Sequence, residues 1–307
     1  MKILVLGGGG FIGSHVLYHL SGQGHQVTGF GRQTPNVLPT SVGWISGEFV
    51  SGEGLPSALE GVDVVCHLIS ATHPRSSNDS PIFDIANNLS PTVRLLDLMV
   101  QKGVPRIVFL SSGGTVYGNP RYLPIDEEHP TNPKVSYGIV KLAIEKYLGM
   151  YDKAHGLKSI ALRVANPYGE RQPTSTGMGA VGVFLGKAFK NEPIELWGDG
   201  SVVRDYLHVE DVAQAVALAA TYDGDQSVFN IGSGMGTSLN ELIQYIERVL
   251  ETTLDVRRVA GRNFDVPANV LDCGLARAEL GWQTNVGLGD GIERTAKWFG
   301  TSANSQA

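Results

Sequence analysis

"KILVLGGGGFIGSHVLYHL", residues 2–20, is the stretch that decides the fold. Its opening run, Lys2 to Leu6, is apolar but far too short for a membrane span or a secretory leader, and glycine breaks it at once. It reads as a buried strand. Gly7, Gly10 and Gly13 follow at the spacing GxxGxxG, and a helix opens across Phe11 and Ile12. Strand, glycine turn and helix in that order form a phosphate cradle, because glycines let a pyrophosphate approach the backbone while the helix amino terminus offers free amides and the positive end of its dipole. A tight turn that binds nothing can share the spacing; the strand before it and the helix after it favour the cradle.

Outward from this unit, strand-like runs alternate with helical stretches: "HQVTGFG" (25–31), "VDVVCHLIS" (62–70), a helix over 85–103, then "RIVFLSS" (106–112). Such alternation predicts βαβ units and an α/β fold, a Rossmann-type doubly wound parallel sheet. A longer helix is predicted over 136–155 with Gly156 as its stop, and "SIALRVANPYG" (159–169) resumes the strand pattern. "ERQPTSTGMGAVG" (170–182) reads as a loop leading out of this layer, and "DVAQAVALAATY" (211–222) and "VFNIG" (228–232) as a return to it. The expected division is a dinucleotide-binding domain over 1–170 with returning segments at about 211–235. The remaining segments of 171–307 form a smaller carboxy-terminal substrate domain.

The 307 residues carry a net charge of −6, which disfavours a protein built to cover nucleic-acid phosphates. No nucleic acid and no membrane is therefore expected as a partner; a small anion needs only a few local arginines. Cys66 and Cys273 form neither a CxxC pair nor a metal-ligand cluster, so no metal site and a reducing, cytoplasmic setting are expected.

Two further features carry chemistry. Where a fold specific for NAD usually places an acidic residue at the end of its second strand, this chain reads "GFGR", with Gly31 and Arg32. Arg32 can hold a 2′-phosphate, stack on adenine or simply remain solvated, so NAD and NADP both stay open. In "SYGIVK", Tyr137 and Lys141 lie one helical turn apart on one face. A tyrosine acting as a base near neutrality needs its pKa of ~10 lowered by about 3 units, or about 4 kcal/mol. An ammonium at ~4 Å supplies about that much at an effective dielectric of ~20, and an oxidised nicotinamide adds a second positive charge.

Together, GxxGxxG, "SSGGTVYG" (111–118), "SYGIVK" and "RVANPYGERQ" (163–172) resemble the extended short-chain dehydrogenase/reductase family, in its NAD-dependent epimerase/dehydratase branch of nucleotide-sugar enzymes. The resemblance continues through "LWGDGSVVRDYLHVEDVAQA", "FNIGSG" and "LGW" and so covers nearly the whole chain. It implies that Tyr137 and Lys141 are catalytic and also bind the cofactor beside Gly7, Gly10, Phe11, Ile12 and Gly13, with Arg32 the further cofactor candidate on its position and charge alone. It implies that Asn166, Arg204 and Arg262 contact a sugar-nucleotide diphosphate, and that Trp197 packs near the base. It implies a homodimer formed through 90–100 and 138–151. Asn269 corresponds to a gatekeeper beside sugar carbon 2, small enough to admit an N-acetyl group.

One position departs from the family pattern. Four residues before Tyr117 those enzymes carry a Ser or Thr that hydrogen-bonds the reacting hydroxyl, and here Gly113 stands there. Ser112 is the expected replacement, with Thr115 and a water in reserve. Gly114 and Thr115 stand where dehydratases carry an acidic pair, which disfavours dehydration. The leading expectation is a nucleotide-sugar 4-epimerase of the UDP-glucose 4-epimerase-like type, favouring NAD. An NADPH-dependent 4-keto-sugar reductase and a non-catalytic dinucleotide sensor are the alternatives.

Overall fold

In β1 (Lys2–Leu6) the side chains of Ile3 and Val5 join one buried cluster and those of Leu4 and Leu6 another. A strand buried on both faces needs a layer on each side. The same alternation recurs along β2 (Gln26–Gly31), β4 (Val64–His67), β5 (Arg106–Ser112) and β6 (Lys158–Val164), with β3 (Gly43–Ser46) at one edge. In the computed structural model, which describes residues 1–174, 179–260 and 266–304, these strands and β10 (Val228–Ile231) form one seven-stranded parallel sheet. Its order is β10-β6-β5-β4-β1-β2-β3. Helices Phe11–Gly22 and Val209–Thr221 cover the face of Ile3 and Val5, while Ser90–Lys102 and Ser136–His155 cover the other. The fold is a doubly wound Rossmann type, with its order reversing between β1 and β4, where such sheets place ligands at the carboxyl ends of the strands.

A second, smaller layer packs beyond β6. The predicted strand 159–169 divides: β6 ends at Val164, and β7 (Asn166–Tyr168) leaves the main sheet to pair with β9 (Val203–His208). β9 also pairs with β11 (Gly236–Ser238) and β13 (Ala268–Asn269), while β8 (Ile194–Trp197) pairs with β12 (Val256–Val259). Helices Ala180–Phe189, Leu239–Leu250 and Leu288–Asn304 pack around them. Asp205 sits fully buried where the layers meet, its carboxylate accepting from the backbone amides of Ser233 (2.7 Å), Gly234 (3.2 Å) and Leu271 (3.2 Å).

Two elements differ from expectation. β3 has no alternating apolar run long enough to announce it. The predicted helix over 85–103 begins as a π-helical turn, Ile85–Leu89, before its regular part Ser90–Lys102. Pro91 has no N–H and its ring crowds the carbonyl one turn back, so the widened turn falls immediately before it. Among the described residues no helix is long and apolar enough to cross a membrane.

Glu170 joins the end of β7 to the last helix: its carboxylate lies 3.1 Å from His208 Nε2 and 3.3 Å from Arg294 Nε. Burial alone would raise its pKa, but His208, its own backbone amide and Arg294 prevail and hold it at about 2. A depressed carboxyl contributes stability that is present above its unfolded pKa and lost as pH falls through the folded one. Glu170→Gln is therefore expected to melt below the wild type above about pH 4.5, with the gap closing toward about pH 2. Melting temperatures measured across that window check it; parallel curves would refute it.

Candidate functional site

The phosphate cradle forms at the carboxyl end of β1. Gly7 turns there with φ +84°, a conformation side chains rarely tolerate, while its amide donates to Phe30 O at 3.0 Å. Gly10 then caps the helix with extended backbone and no side-chain hydrogen bond, leaving Phe11 and Ile12 in the first turn. A Cβ on Gly13 would be driven into the Gly7 carbonyl oxygen. The helix start is thus pressed onto the strand end, a cradle that fits a dinucleotide pyrophosphate.

Beside it, at the end of β2, the Arg32 side chain is 83% exposed and its Nε lies 3.9 Å from Glu48 Oε2. The sequence reading missed Trp44 of β3. A Cβ on Gly29 would come within 2.5 Å of its indole ring, and one on Gly31 within 3.2 Å. The β2 glycines therefore leave room for an indole as well as removing a carboxylate.

Tyr137 and Lys141 share one face of the Ser136–His155 helix, with Lys141 Nζ 5.5 Å from the Tyr137 ring centroid. Lys141 Nζ donates to Leu110 O of β5 at 2.7 Å and lies 4.6 Å from the Phe109 ring. Burial pulls its pKa down to about 8, against the pull of Asp84 and Glu145. Burial also pushes the Tyr137 phenol up to about 12, with Ser70 lowering it and Asp84 raising it further. This differs from the sequence-based arithmetic, in which the ammonium offsets the whole shift. In the chain alone burial dominates, and the ammonium is directed at a β5 carbonyl.

At the end of β5, Ser112 is half-buried; Thr115 Oγ1 is buried without a hydrogen-bond partner among the described residues. The backbone explains the missing hydroxyl. The amide of Gly113 donates to Val164 O at 2.9 Å, and a Cβ at Gly113 would stand 2.6 Å from Leu271 Cδ1 and 2.8 Å from Arg163 O. Leu271 and the neighbouring strand already fill the space a serine would need. Asn269 closes the same contact: buried at 1% exposure, its Nδ2 donates to Gly113 O at 3.1 Å and its Oδ1 has no partner among the described residues.

Asn166 Nδ2 donates to Asp205 O at 3.0 Å, and Arg204 on β9 donates to the carbonyls of Val203 (2.8 Å) and Val266 (2.7 Å). β9 and β13 pair in parallel with Arg204 opposite Asn269, so these two candidate residues are neighbours. Trp197, at the end of β8, is 37% exposed. Arg262 lies outside the described residues.

Residues 3–232 match the model of the NAD dependent epimerase/dehydratase family. The chain is 34% identical to a UDP-glucose 4-epimerase of Mycolicibacterium smegmatis, over 97% of this chain and 98% of that one. It is 32% identical to a dTDP-4-dehydro-6-deoxyglucose reductase of Escherichia coli, over 96% of each. Its structure is similar to that of a UDP-glucose 4-epimerase from Thermotoga maritima, solved with UDP-glucose, with a TM-score of 0.93 and 33% identity over 99% of this chain and 100% of that one. The chain belongs to the NAD-dependent epimerase/dehydratase family.

The packing at Gly113 has a measurable consequence. Gly113→Ala adds only the Cβ and is expected to destabilise the protein by about 1–3 kcal/mol, part of which Leu271→Ala in the same chain should relieve. Denaturant midpoints of the two single variants and the double variant check this. Full additivity of the two losses would show that the side chains do not compete for one space.

Proposed function

We propose that this family member is a nucleotide-sugar 4-epimerase acting on a UDP-hexose or UDP-N-acetylhexosamine with a bound nicotinamide cofactor, NAD in preference to NADP. The observation that carries the proposal is the meeting of Tyr137 and Lys141 with the end of β5, at the edge of a sheet whose β1 turn forms a phosphate cradle. The similarity to the epimerases of M. smegmatis and T. maritima supports it.

In this reading Tyr137 takes the proton of the sugar 4-hydroxyl, and Lys141 holds the cofactor ribose and contributes positive charge. The chemistry a bound nicotinamide supplies is acceptance of the hydride from sugar carbon 4 and its return to the other face, with no net redox change. Because burial holds the phenol at about 12 in the chain alone, the base is competent only in the loaded enzyme, where positive charge accumulates beside it. Ser112, or Thr115 through its hydroxyl, which has no hydrogen-bond partner among the described residues, orients the sugar oxygen. Asn166, Arg204 and Arg262 anchor the nucleotide diphosphate, with Trp197 packing near the base, while the sugar turns. Residues 1–170 with the returning segments bind the dinucleotide, and the rest binds the sugar nucleotide. A homodimer is supported by exposed apolar residues on the helix pair expected to form it, among them Val100, Ile139 and Met150.

A second reading, an NADPH-dependent 4-keto-sugar reductase, is favoured by the similarity to the E. coli reductase and by Gly31 and the exposed Arg32. Protein purified with tightly held NAD that interconverts UDP-glucose and UDP-galactose supports the first reading. Stoichiometric consumption of NADPH with a keto sugar supports the second.

Tyr137→Phe is expected to lose on the order of 10²-fold or more in turnover while keeping its fold and its cofactor. Turnover within a few-fold of wild type would remove Tyr137 from the mechanism. Wild type is further expected to turn over UDP-N-acetylglucosamine as well as UDP-glucose, with Asn269→Tyr selectively losing the N-acetyl substrate. Rejection of that substrate by wild type would overturn the role of Asn269.

A further inference from the structure

Asp84 is wholly buried, and no ion pair among the described residues reaches it. A carboxylate out of water with no cation on it is a costly group to keep, and hydrogen bonds must hold it. Three side chains from three segments do so. Thr72 Oγ1 donates to Oδ1 at 2.6 Å, Asn88 Nδ2 to Oδ1 at 2.8 Å and Ser136 Oγ to Oδ2 at 2.7 Å.

Two of the three ties lead toward the Tyr137–Lys141 pair. Ser136 is the residue before Tyr137 and opens its helix, and the Tyr137 amide is itself held by Ser77 Oγ at 3.0 Å. Thr72 accepts at its carbonyl from Ser70 Oγ at 2.9 Å, and Ser70 is the side chain beside the Tyr137 phenol that lowers its pKa. One carboxylate therefore grips both the backbone entering Tyr137 and the loop lying against its hydroxyl. Asp84 also acts electrostatically on both members of the pair. Among the described residues Asp84 is the one carboxylate that acts on both. Glu145, on the same helix, also raises Lys141 but is ion-paired with Arg163 at 2.8 Å and is not among the groups shifting Tyr137, and His67 of β4 is held uncharged by burial and by Lys141, with its pKa at about 3. Strand β5 presents the Phe109 ring and the Leu110 carbonyl.

We propose that Asp84 is the positioning residue of the Tyr137–Lys141 pair, fixing the phenol between loop and helix and placing one uncancelled negative charge beside both side chains. The proposal rests on the assignment of Tyr137 and Lys141 to the reaction. Asp84→Asn keeps the shape: the amide oxygen still accepts from Thr72 and Asn88, and the amide nitrogen donates to Ser136 Oγ. It removes only the charge.

Losing that anion lowers the pKa of both Tyr137 and Lys141, so both limbs of the kcat–pH profile are expected to move to lower pH with the nucleotide-sugar KM unchanged. Ser136→Ala cuts one tie and keeps the charge; its kcat should fall on the order of tenfold without moving the limbs. The Tyr137 Cζ resonance of isotope-labelled enzyme, assigned by its absence in Tyr137→Phe, titrates without substrate and should move to lower pH in Asp84→Asn. Unmoved limbs together with an unmoved resonance overturn the proposal. A resonance that moves while the limbs stay fixed upholds Asp84 and instead removes Tyr137 from the rate-limiting proton transfer. Should Asp84→Asn fail to fold, Ser136→Ala and Thr72→Val decide the positioning role, and full kcat in both overturns it.

Discussion

The nearness of Gly13 to the Gly7 carbonyl is the constraint on which the rest of the molecule is arranged. With any side chain at position 13 the Phe11–Gly22 helix would have to stand off from β1, and its amino terminus would no longer face the edge where the parallel strands end. The helix rests on the sheet through Val16, Leu17 and Leu20, so moving its start would tilt the whole buried face. The Val209–Thr221 helix packs beside it on the same surface and leads directly from β9. A local contact between two backbones thereby sets how the second layer approaches the first.

The fold was readable because each of its main strands is buried on both faces, which leaves short apolar runs separated by helical ones. Gly156 in the left-handed conformation ends the Ser136–His155 helix where the pattern stops. Edges were harder to read. The strand Gly43–Ser46 lies at the edge of the sheet with half-buried side chains at Trp44 and Ile45, so its residues carry little hydrophobic periodicity. Of the candidate site, the cradle and the Tyr137–Lys141 pair follow from local spacing and could be seen at once. Asp84, Ser70 and Thr72 could not, since they act through contacts between segments whose meeting depends on the folded sheet. The one local hint was an aspartate inside the apolar run "PIFDIANNL".

Gly113 shows how a residue that looks like a loss can be a fit. Strand β13 of the second layer sends Asn269 to the Gly113 carbonyl, and Leu271 lies where a side chain at 113 would go. The end of β5 is therefore shaped from outside as much as by its own sequence. A hydroxyl at that position and the present packing of Leu271 exclude each other, which turns attention to the neighbouring hydroxyls of Ser112 and Thr115.

The chain leaves the main sheet after β6, builds part of the second layer, comes back to lay down the Val209–Thr221 helix and β10, and leaves again. A fragment ending near residue 170 would lack an edge strand and the helix covering Val5, Val108 and Leu110, exposing apolar surface that the intact protein hides. No single cut yields two self-sufficient pieces. A single crossover between genes would thus split segments that are interlaced in space and leave apolar faces of the main sheet uncovered.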